Sequence, residues 1–475
     1  MNARTGHRRT TLMAVAVALL CLAGPAWPVV AQPGNRPPGV PPPVDPAALP
    51  TPASVGTMPY VVNNTATRQT GPVEQQAPCQ QQVTDSAQDL EAEPAAQQRL
   101  HIRQAQKFAT GRDQRVAVID SGVQPHPRLL GRLIDGGDYI ENRSGLFDCD
   151  GHGTVVAGLI AAAPDPATRF VGVAPAAQIL AIRQASTFYS VPLHQLDNGQ
   201  ESHSPGAGDT VSMAQAVMRA VQLNATVINI SEAACFPAKQ DQVNAPDLQA
   251  AVHYAVEHNV VVVVAAANAS DTCKQNSHGA VTTISSPGWF DDDVLTVAAT
   301  DENGAPADFS IRGPWVDVAA PGTDAVSLAA GRPGLTGELV DAHGVARPLD
   351  GTSFATPYVA GLAALVRDRF KNLTARQVMH RIERTAQHTT SPGGRSEELG
   401  YGMIDPVAAL TAVLPEEHGA QAQSVLPTRL DGPSPPAPDS TLPRNVALAG
   451  SAAALGLLGL TLLVVQTVTR QRQPR

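Results

Sequence analysis

An α/β fold with a mostly parallel sheet follows from two features of this 475-residue sequence. From Arg115 onward, short Val/Ile/Ala runs alternate with longer amphipathic stretches. The runs are apolar throughout, as in parallel strands whose two faces are both covered by crossover helices. A third feature concerns chemistry. Reactive side chains stand just past the ends of these runs or at the starts of the helices, where open α/β sheets gather ligands.

Residues 1–31 are expected to be a signal peptide: Arg4, Arg8 and Arg9 precede the apolar run 12–23, and Val29-Val30-Ala31 offers small residues at cleavage spacing. Residues 32–110 form an N-terminal arm. Positions 32–78 hold 12 Pro and lack amphipathic pattern, so this part reads as extended polyproline, whereas 91–107 looks helical. The domain proper is placed at 111–414, long enough to bury a core. Its expected strands are 116–119, 179–183, 226–230, 260–266, 294–298 and 316–319, with helices near 154–163, 210–223, 248–258 and 354–370.

A linker follows at 415–443, with seven Pro in 29 residues. Extended at about 3.1 Å per residue it would reach roughly 90 Å. Residues 444–468 are expected to be a transmembrane helix: 446–465 carry no charge over 20 residues, about 30 Å of helix at 1.5 Å per residue. Arg470, Arg472 and Arg475 after this span, against Arg444 before it, assign the tail 469–475 to the cytoplasm and the domain to the outside.

Lys+Arg 33 against Asp+Glu 42 gives a net charge of −9, and loss of the three Arg in 1–31 makes it −9 − 3 = −12. No basic run with interleaved aromatics occurs, so no nucleic-acid partner is expected. The sequence has neither HExxH nor CxxC, and its 13 His are scattered, so neither a metal nor a cofactor is expected.

Three segments carry the chemistry. In Val116-Ala117-Val118-Ile119-Asp120-Ser121-Gly122 an apolar strand runs into a carboxylate and a turn. In Asp150-Gly151-His152-Gly153-Thr154 a His between two Gly opens a small-residue helix. In Gly351-Thr352-Ser353-Phe354-Ala355-Thr356-Pro357 a Ser opens another, with Pro357 still within its first turns. A Ser hydroxyl needs a His as general base, and that His needs a carboxylate to orient it and to stabilise the imidazolium. The expected roles are therefore Ser353 as nucleophile, His152 as base and then acid, and Asp120 as orienting carboxylate. Asn268, just past the 260–266 run, would supply an oxyanion donor together with the Ser353 backbone N–H.

With Asp, His, oxyanion Asn and Ser in that order, residues from about 115 to 412 resemble the subtilisin-like serine protease family. Asn229-Ile230-Ser231 and Asp317-Val318-Ala319-Ala320-Pro321-Gly322 strengthen the likeness. The resemblance implies a three-layer fold, a serine endopeptidase activity and a protein or peptide substrate. It also implies a substrate-binding wall from Ala265, Ala266 and Ala267 and a cleft strand starting at Ser231 and Glu232. Departures from the family pattern lie close to the site: Ala267 replaces the usual Gly, Phe354 the usual Met and Tyr358 the usual His. Ala267 adds a methyl to the expected specificity pocket. Glu232 would favour basic substrate residues or simply remain in solvent. The polar insertion 186–209 would gate the cleft or dock a partner.

Four cysteines remain after export, Cys79, Cys149, Cys235 and Cys273, and they allow three connectivities. Cys235 and Cys273 each follow a strand on the active-site rim. Pairing them leaves Cys79 with Cys149, which would tie the arm beside His152 as a structural wrap; the other pairings leave a conventional releasable propeptide open. With its signal peptide, arm, stalk, single helix and Arg tail, the whole chain is similar to the mycosins, membrane-anchored proteases of mycobacterial type VII secretion systems. That likeness implies an envelope enzyme that trims a secreted substrate and belongs to the secretion membrane complex. A structural scaffold with dispensable catalysis is the alternative.

Overall fold

The computed structural model describes residues 39–50, 73–79, 92–193, 202–203, 206–238, 245–418, 455–464 and 466. Two compact units divide the chain, 1–413 and 414–475. The first is built on seven strands: β1 (Arg115–Asp120), β2 (Leu133–Asp138), β3 (Gln178–Arg183), β4 (Val227–Ile230), β5 (Val261–Ala265), β6 (Leu295–Thr300) and β7 (Val318–Pro321). Every pairing is parallel and the order is β7-β6-β5-β4-β1-β3-β2. From β1 the chain runs to the edge strand β2, returns to β3 between them, then crosses to β4 on the other side of β1 and builds outward through β5, β6 and β7, so the order reverses between β1 and β4. At such a switch point the carboxyl ends of neighbouring strands leave a crevice.

The principal helices are α1 (His152–Ala161), α2 (Thr210–Gln222), α3 (Pro246–Glu257), α4 (Thr352–Arg369), α5 (Ala375–Arg384) and α6 (Pro406–Thr411). Residues 352–366 of α4 are buried on every side. The stretch carries no charged side chain and is mostly Ala, Gly, Val and Leu with short Thr and Ser, so strands and neighbouring helices approach it all round. Asp209 and Ser212 form a reciprocal capping box that starts α2, and Thr374 with Gln377 does the same for α5.

Six of the seven strands lie where apolar runs predicted them, within a few residues. The edge strand β2 was not anticipated, because Leu133-Ile134-Asp135-Gly136-Gly137-Asp138 carries two Gly and two carboxylates and pairs on one side alone, with a bulge at Asp135/Gly137. The single helix expected over 91–107 is two short ones, Ala95–Arg99 and Ile102–Ala105, interrupted where His101 adopts φ +51°.

Two described pieces of the N-terminal arm touch the domain. Around residues 39–50, Asp45 caps the turn Pro46–Ala48 and the Gln249 side chain donates to the Pro42 carbonyl at 2.6 Å. Around 73–79, Glu74–Gln75 pairs antiparallel with Tyr189–Ser190, and Val73 and Ala77 pack against the small buried cluster that includes Cys149, Ile140 and Phe188. Disulfides join Cys79 to Cys149 and Cys235 to Cys273. Among the described residues no helix is long and apolar enough to cross a membrane. Residues 455–464 are helical. The expected signal peptide, most of the expected linker and the rest of the expected membrane span lie outside the described residues.

Candidate active site

Asp120 ends β1 and is fully buried. His152 is the first residue of α1, reached through Gly151 at φ +79°. The helix start lies so close to β1 that a Cβ on Gly153 would come within 2.0 Å of the Gly122 carbonyl and 3.1 Å of Asp120 Oδ1. Only glycine permits that approach. It brings His152 Nδ1 to 2.7 Å from Asp120 Oδ1, while Asp120 Oδ2 is buried without a hydrogen-bond partner among the described residues.

Asp148 braces the loop before α1. Its carboxylate accepts from Thr154 N (2.9 Å), Thr154 Oγ1 (2.6 Å), Gly151 N (2.8 Å) and Ser121 Oγ (2.9 Å). Burial nevertheless pushes its carboxyl up to about 6. Sequence reasoning gave no role to Ser121, which lies inside the first of its segments, and passed over Asp148, two residues before the second.

Ser353 is the second residue of α4 and lies on the wall of a cavity of about 260 Å³ together with His152, Glu232, Ala265, Ala267 and Asn268. Pro357, four residues on, has no N–H to donate to the Ser353 carbonyl. Ser231 Oγ donates to it instead at 2.9 Å. The expected cleft strand is not one at its start, since residues 231–233 belong to no strand and the strand begins at Ala234; the segment is nevertheless fastened through Ser231 to Ser353. Asn268 works from both ends of its amide. Its Oδ1 accepts from Thr352 N (2.9 Å) and Thr352 Oγ1 (3.0 Å), capping α4 from another element. A Cβ on Gly351 would sit 3.0 Å from Ser353 Oγ and 3.2 Å from Asn268 Nδ2, so the glycine keeps open the space between hydroxyl and amide.

The three alanines separate. Ala265 and Ala267 line the cavity, whereas Ala266 belongs to the hydrophobic core. Strand alternation accounts for this, since neighbouring side chains point to opposite faces. Ala267 takes φ +81°, a left-handed conformation that favours glycine. Its methyl packs in a small apolar cluster with Cys273 and Ile311.

A second cavity of about 580 Å³ adjoins the first and is lined by Asp150, His152, Phe188, Glu232 and Leu339, among others. Thr187 and Ser186 of the polar insertion fasten to the Asp150 carboxylate, so part of the insertion forms this wall. Residues 194–201 and 204–205 lie outside the described ones. Glu232 borders both cavities, with Oε1 3.9 Å from His152 Nδ1. Ligand atoms of Asp120, His152 and Glu232 all lie within 4.8 Å of one another.

A seven-stranded parallel sheet with a Ser, a His–Asp pair and an amide at one end defines a serine peptidase of the subtilase class. The subtilase family model matches residues 111–402. Mycosin-3 of Mycobacterium tuberculosis is 38% identical over 454 residues, covering 91% of this chain and 94% of that protein. The structure of the MycP3 protease from the type VII (ESX-3) secretion system superposes with a TM-score of 0.68 at 39% identity, covering 78% of this chain and all of that one. A chain of the intact ESX-5 inner membrane complex matches with a TM-score of 0.68 at 36% identity, covering 90% and 99%. The chain belongs to the subtilase family and, within it, to the mycosins, and it is a serine endopeptidase.

Proposed function

We propose that Ser353 attacks the substrate carbonyl, that His152 takes its proton and returns it to the leaving amine, and that Asp120 orients and stabilises the imidazolium. Asn268 Nδ2 and the Ser353 N–H receive the oxyanion. The observation that carries this reading is the 2.7 Å His152–Asp120 contact beside the open space shared by Ser353 Oγ and Asn268 Nδ2. The substrate is an exported protein, lying along the segment that begins at Ser231 and Glu232. After removal of 1–31, the domain 111–414 works outside the cytoplasmic membrane, tethered by the stalk 415–443 and the span 444–468. The arm 32–110 serves as a wrap held by the Cys79–Cys149 bond.

Likeness to a protease of the type VII (ESX-3) system and to a chain of the ESX-5 inner membrane complex supports work within a type VII secretion complex. The same likeness favours a second role, as a structural member of that complex. Ser353→Ala in the native cell tests both. Substrate processing is expected to stop, and secretion that continues assigns this protein a scaffold function in the complex independent of catalysis. Processing that continues in this variant contradicts the proposed chemistry.

A further inference from the structure

We propose that Glu232 is a positioning residue for the imidazole: its carboxylate, lying near the same Nδ1 edge that Asp120 contacts, favours protonated His152 and helps set the pH at which Ser353 becomes reactive. This rests on the roles proposed above for Ser353, His152 and Asp120. Ser231 is fastened to the Ser353 carbonyl, so the backbone that presents Glu232 is anchored to the nucleophile's own helix. From there Oε1 reaches to 3.9 Å from His152 Nδ1, on the wall common to both cavities.

The groups facing this pair are overwhelmingly anionic. Asp120 comes from the end of β1, and Asp148 and Asp150 come from the loop before α1. Across the larger cavity Arg347 is engaged by Asp341 at 3.0 Å. Burial works against the imidazolium, but Asp120, then Glu232 and Asp148, outweigh it and push His152 up to about 10. Burial also raises Glu232, to about 7, with Asp120 and Asp150 adding to the rise and His152 opposing it. A general base must be neutral to accept a proton, so an anion that favours imidazolium delays reactivity to higher pH. Removing that anion shifts the onset downward, while the Asp120–His152 contact stays in place.

The test is the rate at which a fluorophosphonate labels Ser353, followed against pH in the full-length protein and in Glu232→Gln and Glu232→Asp. Wild-type labelling should rise with pH as His152 loses its proton. In Glu232→Gln the acid limb should move down by about half a pH unit, making labelling about threefold faster on that limb, a size appropriate to a partly exposed charge pair. Glu232→Asp, which keeps the charge, should stay nearer the wild type. The midpoint does not depend on how much of a variant folds, so a loss of yield leaves the result readable. Superposed profiles for wild type and Glu232→Gln, with Ser353 labelled in both, overturn this inference alone. A wild type that is never labelled overturns the proposed catalytic roles and the inference with them.

Discussion

Single residues in this site carry costs that their neighbours absorb. Ala267 holds φ +81° immediately before Asn268, a conformation disfavoured by roughly 1–2 kcal/mol for a residue with a Cβ. Ala267→Gly relieves that strain but frees the unfolded chain, and the methyl's contact with Ile311 and Cys273 is lost. The first effect is the larger, so we expect a gain of about 0.5 kcal/mol, seen as a higher urea midpoint with unchanged slope. A lower midpoint would show that the methyl's packing outweighs its backbone. The sequence already displayed this departure from the family's Gly; what it did not display was the sign of φ. It likewise displayed Ser231 and Glu232 as cleft residues. That Ser231 spends its hydroxyl on the Ser353 carbonyl depends on Pro357, which is far away in sequence.

At the level of elements, the site is a meeting of strand ends and helix starts, and much of it was legible because each motif sits beside its own apolar run. The strands β1, β4 and β5 are built on the apolar runs Val116–Ile119, Val227-Ile228 and Val261–Ala265 and deliver Asp120, Ser231 and Asn268 to one end of the sheet. The edge strand β2 was illegible for the same reason reversed, since Gly136, Gly137 and two carboxylates leave no apolar pattern. Helix α5 was also passed over, although its Thr374/Gln377 capping box and the buried Val378, Met379 and Ile382 mark it. Asn268 connects these elements by capping α4 with Oδ1 while Nδ2, like the Ser353 hydroxyl, borders the space beside Gly351. Asn268→Asp keeps an acceptor for Thr352 but removes the donor. We expect kcat to fall at least as far as the about 10²–10³ usual when one oxyanion donor is removed from an enzyme of this family, with Tm nearly unchanged. Asn268→Ala should lose both rate and Tm. Equal rates in wild type and Asn268→Asp would remove Asn268 from the oxyanion site.

Across the whole molecule, the Cys79–Cys149 bond closes a loop of 70 residues and joins the arm to the segment three residues before His152. Residues 74–75 also add a strand beside Tyr189–Ser190, next to the Phe188 that lines the larger cavity. A chain cut anywhere between Cys79 and Cys149 should therefore keep its arm. Non-reducing electrophoresis is expected to show one species that separates into two upon reduction, and two species without reduction would contradict the tether. Proline-rich composition points to an extended arm before the domain, but composition holds no information about where an extended chain lies. That depends on distant partners such as Gln249 for Pro42 and Tyr189 for Gln75.

The central claim is that Ser353, activated by His152 and Asp120, is the nucleophile. Labelling of the full-length protein with a fluorophosphonate, followed by mapping of the modified peptide, tests it most directly. The predicted result is one adduct, on Ser353, absent from Ser353→Ala. Labelling that persists in Ser353→Ala, or a wild type that takes up no probe at any pH, would contradict the claim.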